Sequence, residues 1–458
     1  MTEWVRATLE GRSAPHRPAL TVLGWIGIGF CGLVALAYAF FAGGVGGFLL
    51  GLLFALLPVP LLVFAVLSLD RLEPEPTRNL VLTFAWGAAV AVVIALGLEL
   101  AGGLLTSNQI VGSAVIAPFA EELAKGAIIF FILHIRKTEL DGPTDGIVYA
   151  GMVGLGFAMS ENIVYYGSSI MQHGAAGLVS TFVLRGIFSP LAHPLFTSAT
   201  GIALGLAALK RDTAFRWLVP IAGLVLAMIL HGLWNGSTGA LGVVGLALYY
   251  LLIMVPVLVG NILIVYFDRR RTLGLVGKYL PSYIPAGVFH ADEVGLLRTM
   301  KSRGKMRRLM RDYQQAATEL AMLDDKAARG TAGPNYGPRR EALVRILLVS
   351  KQAFPGNEGM VRNLAEIEGT LPPPPPPKWQ PRPGGPPPPP GGGGAPQGPP
   401  QGAPGGPPGY PRQPGPPPGQ PGHPGYPGGP PPGSPPPGGP PAGYPPRQPG
   451  PQGPPRGQ

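Results

Sequence analysis

Residues 116–130 read IAPFAEELAKGAIIF, and they place two adjacent carboxylates inside an apolar run of the length of a membrane span. A carboxylate near the centre of a bilayer costs about 3 kcal/mol or more, so Glu121 and Glu122 need a partner, a water-filled cavity or a function. Lys125 supplies a partner, because it follows Glu121 by one helical turn and lies on the same face. The stretch therefore predicts a polar site inside the membrane.

The composition of the whole chain indicates a membrane protein with several spans. Of its 458 residues, 46% are hydrophobic and only 13% are charged, whereas soluble domains carry roughly 25% charged residues. The net charge of +11 fits basic cytoplasmic loops better than nucleic acid, because no basic patch is interleaved with aromatic residues. The single cysteine, Cys31, excludes an internal disulfide framework and a cysteine-based zinc site.

Apolar stretches of about 20 residues, long enough for a hydrocarbon core of roughly 30 Å, recur along the first part of the chain. They predict eight membrane spans, at residues 22–41, 48–69, 80–100, 111–133, 146–166, 178–209, 217–235 and 241–267. The sixth stretch is too long for a simple crossing. Pro190 and Pro194 lie within it and predict a kink or a broken helix, because each proline removes a helical hydrogen bond.

The charges of the loops predict the orientation of the spans. The N-terminal segment and every loop after an even-numbered span contain Arg or Lys, whereas the loops around 43–47, 102–109, 167–177 and 236–240 contain neither. By the positive-inside rule, both termini then lie in the cytoplasm. The chain is accordingly expected to be an integral, multi-pass protein of the cell membrane.

Four regions follow from these patterns: a cytoplasmic N-terminal segment 1–21, a transmembrane domain 22–267, a basic cytoplasmic helical segment 268–370 and a Pro/Gly-rich tail 371–458. The third region fits either an amphipathic helix on anionic lipid or a small soluble helical hairpin. The tail cannot bury a core and is predicted to be disordered, with Gly-Tyr-Pro steps that suit weak contacts with partners. The predicted fold class is thus an all-α transmembrane bundle.

Polar residues on other predicted spans lie at a similar depth. Glu161 and His231 lie about 7 Å from the outer ends of their spans, and Glu121 lies about 15 Å from the outer end of its own. Asn235 follows His231 on the same helical face, and His193 lies in the broken sixth span. The shared depth predicts one site in the outer half of the bilayer.

Four short motifs stand in order on separate predicted spans. They are residues 121–125 (EELAK), residues 156–162 (GFAMSEN), His193, and residues 231–235 (HGLWN). Together they resemble the Glu-Glu-x-x-Lys motif, the second motif, the isolated histidine and the His-x-x-x-Asn element of the PrsW-type intramembrane proteases. The resemblance covers about residues 61–267. In the related CAAX prenyl endopeptidases, histidine stands in place of Glu161 and arginine in place of Lys125, so these departures favour the PrsW type.

This resemblance implies cleavage of single-span membrane proteins, such as anti-sigma factors, at an extracytoplasmic or outer-leaflet site. The chemistry of the residues fits hydrolysis by an activated water, with Glu121 or Glu122 as general base and Lys125 tuning the pair. Glu161, His193 and His231 are predicted to bind zinc or, without metal, to polarise the scissile carbonyl. Asn235 is predicted to orient the oxyanion or His231.

Two other functions use the same residues. An ion-coupled transporter also needs carboxylates, lysine and histidine inside the membrane, and the broken sixth span suits such a carrier. A non-catalytic scaffold would recruit partners through its Pro-rich tail. The sequence shows no internal repeat, and its polar residues gather in one leaflet, which favours the protease.

Individual residues also have structural interpretations. Glu121 and Lys125 could be an ion pair that holds two helices together, and His193 could bind carbonyls freed by the kink. Arg185 lies deep in the sixth span and is expected to pair with Glu161 or Glu99.

Overall fold

The computed structural model describes residues 18–70, 74–135, 140–299, 311–333, 335–352 and 370–375. These residues form helices and short connections and contain no β-strand, so the predicted all-α fold is confirmed for the described part of the chain. Residues 1–17 of the predicted N-terminal segment and most of the predicted tail lie outside the described residues.

The membrane part is built from ten helices in the described ranges. They are α1 (Pro18–Leu56), α2 (Val59–Leu67), α3 (Thr77–Ala85), α4 (Val92–Gly103), α5 (Gln109–Val111), α6 (Ala117–Ile135), α7 (Pro143–Phe182), α8 (Ala192–Ala208), α9 (Thr213–Tyr249) and α10 (Val255–Tyr279). Four π-helical segments continue these helices, at Trp86–Ala91, Gly112–Ile116, Val183–Phe188 and Tyr250–Met254. A 3₁₀ turn at Leu280–Tyr283 leads to α11 (Ala291–Leu297), α12 (Arg311–Arg329) and α13 (Tyr336–Gln352).

Three of the long helices break at a glycine with positive φ: Gly44 in α1, Gly174 in α7 and Gly242 in α9. In α7 the hydroxyls of Ser169 and Thr181 lie 2.8 Å apart, although a straight helix would separate these residues by about 18 Å. In α9 the Tyr249 hydroxyl donates to the carbonyl of Leu230 at 2.6 Å. The α7 and α9 helices are therefore hairpins whose arms run side by side.

These breaks refine the predicted loops. Gly44 and Gly174 fall inside the predicted outer loops 43–47 and 167–177. Gly242 falls just after the predicted loop 236–240, inside the stretch assigned to the eighth span. The sequence placed this last turn too early, because a turn at a single positive-φ glycine needs no run of polar residues to announce it.

Five helical stretches are long and apolar enough to cross a membrane: Val22–Leu67, Thr77–Gly103, Pro143–Ala208, Thr213–Ser237 and Val244–Tyr283. The first and third contain 46 and 66 residues, well beyond the roughly 20 residues of one crossing. The predicted fourth span corresponds to α6, which is not among these five and carries three charged residues, Glu121, Glu122 and Lys125. The chain is thus an integral membrane protein, while eight crossings and the orientation stay predictions.

The break predicted in the sixth span is confirmed. The π-helical segment Val183–Phe188 ends in a turn at residues 189–191, and α8 begins at Ala192. Pro194 lies in the first turn of α8, where a proline removes no helical hydrogen bond. A side chain at Gly154 of α7 would come within 2.7 Å of the Pro194 nitrogen, so the glycine lets α8 approach α7 closely beside His193.

The chain after the membrane part has its own hydrophobic core. The end of α10 packs with α11, α12 and α13 around buried residues that include Val276, Tyr283, Phe289, Leu320 and Leu347. This packing fits the soluble helical hairpin better than a single amphipathic helix on lipid. Residues 300–310, which belong to the predicted basic helical segment, lie outside the described residues.

Candidate active site

Lys125 of α6 lies at the centre of a buried polar cluster. Its ammonium donates to Glu121 Oε2 at 2.8 Å and Glu122 Oε1 at 2.9 Å, and it lies 2.9 Å from His193 Nδ1. An ammonium has three N–H bonds, so these contacts use all of them. The ring centroid of Phe157 lies 3.9 Å from the same nitrogen. The predicted contact between Glu121 and Lys125 is present, and it belongs to a larger network.

The two adjacent carboxylates have different surroundings. Glu122 is fully buried and accepts bonds on both oxygens: Oε1 faces Lys125 and His231 Nδ1, and Oε2 accepts from the Thr197 hydroxyl at 2.8 Å. Glu121 is 5% exposed, and within the described residues its hydrogen bond comes from Lys125 alone. Glu121 therefore has more acceptor capacity left for a water or a substrate than Glu122.

Each of the two histidines has one ring nitrogen beside a carboxylate partner and the other ring nitrogen near Glu121. His231 Nδ1 lies 3.0 Å from Glu122 Oε1, and His193 Nε2 lies 2.9 Å from Glu161 Oε2. A carboxylate only accepts, so these ring nitrogens carry the hydrogens in the neutral imidazoles, and the opposite nitrogens carry the lone pairs. Those nitrogens, His193 Nδ1 and His231 Nε2, lie 3.7 and 3.9 Å from Glu121 Oε2.

This arrangement suits a metal ion. Glu121, His193 and His231 are buried, and each offers one ligand atom, all within 4.8 Å of one another. One carboxylate and two imidazoles form a frequent protein shell of catalytic zinc. The Lys125 ammonium contacts two of these three donors, so a metal ion between them requires the ammonium to move away, because like charges repel.

Glu161 lies behind His193 rather than among these three donors. The sequence assigned the carboxylate ligand to Glu161, but the structure groups Glu121 with the two histidines. Glu161 forms an ion pair with Arg185 and accepts from His193. The pairing expected between Arg185 and Glu161 is therefore present.

Asn235 contacts the segment that precedes α6. Its side-chain amide donates to the carbonyl of Ser113 at 2.9 Å, in the π-helical segment that precedes α6. Such segments often occur near functional sites. Asn235 follows His231 by one turn of α9, so it joins α9 to α6 beside the cluster; its role towards an oxyanion stays a prediction.

Two contributors to the cluster were missed in the sequence. Thr197 lies one turn after His193 on α8, and this spacing could have drawn attention to it. Phe157 lies four residues before Glu161 in the motif 156–162. Its ring contacts the Lys125 ammonium, which explains why an aromatic residue suits this position. The sequence pattern alone did not reveal which charged group its ring would cover.

Comparisons with known proteins give one consistent family. Residues 75–261 match the model of the PrsW family intramembrane metalloprotease. Protease PrsW of Geobacillus kaustophilus is 29% identical over 169 residues, which cover 36% of this chain and 69% of that protein. Protease PrsW of Clostridioides difficile is 27% identical over 190 residues, with coverages of 40% and 76%. Protease PrsW of Oceanobacillus iheyensis is 32% identical over 115 residues, with coverages of 25% and 48%. No solved structure matches the chain.

The helical membrane fold and the family match define the class of the protein as an intramembrane protease. Within that class, the match of residues 75–261 to the PrsW family and the similarity to the PrsW proteases confirm the resemblance seen in the four motifs.

Proposed function

We propose that the chain is an endopeptidase that hydrolyses peptide bonds of membrane-anchored proteins with a water molecule activated by Glu121. The main support is the convergence of four helices on one buried polar centre. Glu121, Glu122 and Lys125 come from α6, Glu161 from α7, His193 from α8 and His231 from α9. Burying charged groups in a membrane costs free energy, so charged centres of this kind are usually functional.

Glu121 is the better general base of the pair. Its carboxylate has unused acceptor capacity, and one nitrogen of each imidazole lies within 4 Å of it. A water bound there would lose a proton to Glu121 as its oxygen attacks the scissile carbonyl. Glu121 would then return that proton to the leaving amine.

Glu122 acts by holding other groups in place. It accepts from Lys125, His231 and Thr197, which fixes the two donors closest to Glu121. Lys125 can then turn the N–H bond that it directs to His193 towards the oxyanion that develops on the attacked carbonyl. Asn235 lies one turn after His231 on α9, and we place it on the His231 side of the site.

The ligand set fits a catalytic metal ion. Glu121, His193 Nδ1 and His231 Nε2 would hold it, and Glu121 would then serve as a ligand in place of its role as base. When bound, the ion would polarise the water and the scissile carbonyl. Glu122 and Glu161 would orient the two imidazoles through their other nitrogens.

The proposed substrates are single-span membrane proteins, such as the anti-sigma factors implied by the family resemblance. A transmembrane helix has no free backbone groups, so its cleavage requires local unwinding next to the polar centre. The proposed site lies in the outer half of the bilayer, with both termini of the chain in the cytoplasm. The Pro/Gly-rich tail is proposed to contact further partners.

The test is cleavage of candidate single-span proteins by the purified full-length chain in detergent and in liposomes. Glu121→Gln preserves the shape of the side chain and removes the base, so it should abolish cleavage. Glu341→Gln is the matched control, because Glu341 is exposed on α13 outside the cluster, and it should cleave as the unmodified chain does. Full activity of Glu121→Gln would disprove the proposed role of Glu121.

The same assay tests the metal. Loss of cleavage with a chelator and its return with zinc would support the ligand set above. Cleavage that persists after exhaustive chelation, with no metal detected by elemental analysis, would assign the chemistry to the side chains alone.

A further inference from the structure

Arg185 is an intramembrane cation outside the four sequence motifs. It lies in the π-helical segment Val183–Phe188, on the second arm of the α7 hairpin. Its Nε donates to Asn162 Oδ1 at 2.6 Å, its Nη2 forms the ion pair with Glu161, and its guanidinium lies 3.8 Å from the ring centroid of Tyr165. All three partners lie on the first arm of the same hairpin.

The contacts of Arg185 continue into the site. Glu161 Oε2, which contacts the guanidinium, also accepts from His193 Nε2 at 2.9 Å. On the other side of the ring, His193 Nδ1 lies 2.9 Å from the Lys125 nitrogen and 3.7 Å from Glu121 Oε2. A chain of contacts therefore runs from Arg185 through Glu161 and His193 to Glu121.

The direction of these hydrogen bonds fixes one tautomer of His193. Glu161 accepts at Nε2, so the hydrogen of the neutral ring lies on Nε2 and the lone pair lies on Nδ1, which faces Glu121. A carboxylate that orients an imidazole in this way commonly changes metal affinity or activity by about 10–100-fold when it is altered. Glu161 can do this only if it stays in one place, and its ion-pair partner Arg185 is itself held by a hydrogen bond to Asn162.

We propose that Arg185 is a positioning residue for the peptidase reaction: it fixes Glu161, and Glu161 keeps His193 in the tautomer whose Nδ1 faces Glu121. This inference rests on the proposed function for its kinetic part. Arginine suits the role because its planar fork contacts Glu161 and Asn162 together while its face lies on Tyr165. A lysine would keep the charge and lose this geometry.

The kinetic test compares Arg185→Met, Arg185→Lys and Glu161→Gln in cleavage of one substrate. Arg185→Met retains an unbranched side chain over Tyr165 and should lower kcat by about 10–100-fold with little change of KM. Arg185→Lys should recover part of the loss. In a Glu161→Gln background, Arg185→Met should change kcat by less than about 2-fold, because its effect passes through Glu161. Arg216→Met, a substitution at the beginning of α9, is the matched control.

If Arg185 only stabilised the packing of the two arms of the α7 hairpin, the result would be different. Arg185→Met would then lower the yield of folded protein, its effect would add fully to that of Glu161→Gln, and kcat per folded molecule would stay unchanged. Melting curves in detergent give the folded fraction, by which the measured kcat is divided to obtain kcat per folded molecule. Unchanged kcat, or full additivity with Glu161→Gln, would overturn the inference.

The tautomer can be read without any cleavage. Nitrogen NMR of protein labelled with ¹⁵N-histidine separates protonated from unprotonated ring nitrogens, and the His193 signals are assigned by comparison with His193→Gln. The unmodified chain should show Nδ1 unprotonated, because Lys125 donates to it, and one Nε2–H signal from the bond to Glu161. Arg185→Met should shift or broaden the Nε2–H signal, because Glu161 loses its fixed position. Unchanged His193 signals in Arg185→Met would overturn the inference, even if no substrate is found and the proposed function fails.

Discussion

At the scale of single residues, the Glu121-Glu122 pair is asymmetric although its sequence is symmetric. Glu122 accepts from Lys125, His231 and Thr197 and is fully buried, whereas Glu121 accepts from Lys125 and lies within 4 Å of one nitrogen of each histidine. Glu122 therefore contributes mainly to the stability of the cluster, and Glu121 is available for chemistry.

Replacing each glutamate by glutamine should separate these roles. Glu122→Gln breaks a buried pair and should lower the free energy of unfolding by about 3 kcal/mol, because Lys125 and His231 lose their shared acceptor. Glu121→Gln leaves Lys125 paired with Glu122 and should cost only about 1 kcal/mol. Both variants should lose cleavage. Chemical unfolding in detergent micelles measures the difference, and equal losses of stability would contradict the asymmetry.

Thr197 provides a second test of the role of Glu122. Thr197→Val removes the hydroxyl that donates to Glu122 Oε2 at 2.8 Å, and a hydrogen bond to a charged group contributes about 1.5–3 kcal/mol. Thr200→Val is the matched control on the same helix, because the Thr200 hydroxyl is buried and has no hydrogen-bond partner among the described residues. The control should be neutral or slightly stabilising. A loss of similar size in both variants would argue against a specific bond to Glu122.

Part of this site could be predicted from the sequence. The spacing of Glu121 and Lys125 predicted their contact, because residues one turn apart share a helical face. The partner of each histidine could not be predicted, because it depends on how α8 and α9 cross α6. The assignment of Glu161 as a ligand shows the same limit: depth along a span places it near His193 but does not say on which side of the ring it lies.

At the scale of elements, the hairpin of α7 determines whether Arg185 reaches Glu161. The two residues lie on opposite arms, and the chain reverses at Gly174, where φ is 63° and ψ is −155°. This region of backbone space is essentially restricted to glycine. The absence of Lys and Arg predicted a loop here, but not a reversal at one residue.

Gly174→Ala should therefore destabilise the hairpin. No atom lies within 4 Å of an added Cβ at this position, so the cost comes from the backbone and should be about 1–3 kcal/mol. Cleavage should fall as well, because the arm that carries Arg185 is displaced. Gly97→Ala is the control: it also has open space around an added Cβ, but it lies inside α4 with an ordinary helical backbone. Unfolding titrations of the two variants should differ, and equal stability would exclude strain at Gly174.

At the scale of the whole molecule, the helical unit formed by the end of α10 and by α11–α13 contacts the ends of the site-bearing helices. Lys326 of α12 forms an ion pair with Asp141, just before α7, and Arg329 donates to the carbonyl of Leu209 at 3.0 Å, just after α8. The described part of the tail also belongs to this unit. Leu371 packs against its core, and Arg340 donates to the Pro372 carbonyl at 2.6 Å.

These contacts change where the tail can be removed. The Pro/Gly composition predicts that the whole segment from residue 371 is dispensable, but the first residues take part in packing. Removing residues 376–458 should leave the melting temperature and cleavage unchanged. Removing residues 371–458 should lower the free energy of unfolding by about 1–2 kcal/mol, through one hydrogen bond and one apolar side chain. Loss of folding in the shorter deletion would show that the tail supports the core.

The orientation of the molecule decides which leaflet contains the polar centre, and the single native cysteine makes it measurable. In a Cys31→Ser background, Ser107→Cys places a thiol in the exposed connection between α4 and α5, and Glu341→Cys places one on the exposed face of α13. The loop around Ser107 contains no Lys or Arg, whereas a run of three arginines, residues 269–271, stands near the end of α10. By the positive-inside rule, an impermeant maleimide should label Ser107→Cys in intact spheroplasts and Glu341→Cys only after lysis. The opposite pattern would reverse the topology, and it would place Glu121 and its partners in the cytoplasmic half of the bilayer, where an extracytoplasmic cleavage site in the substrate would be out of reach.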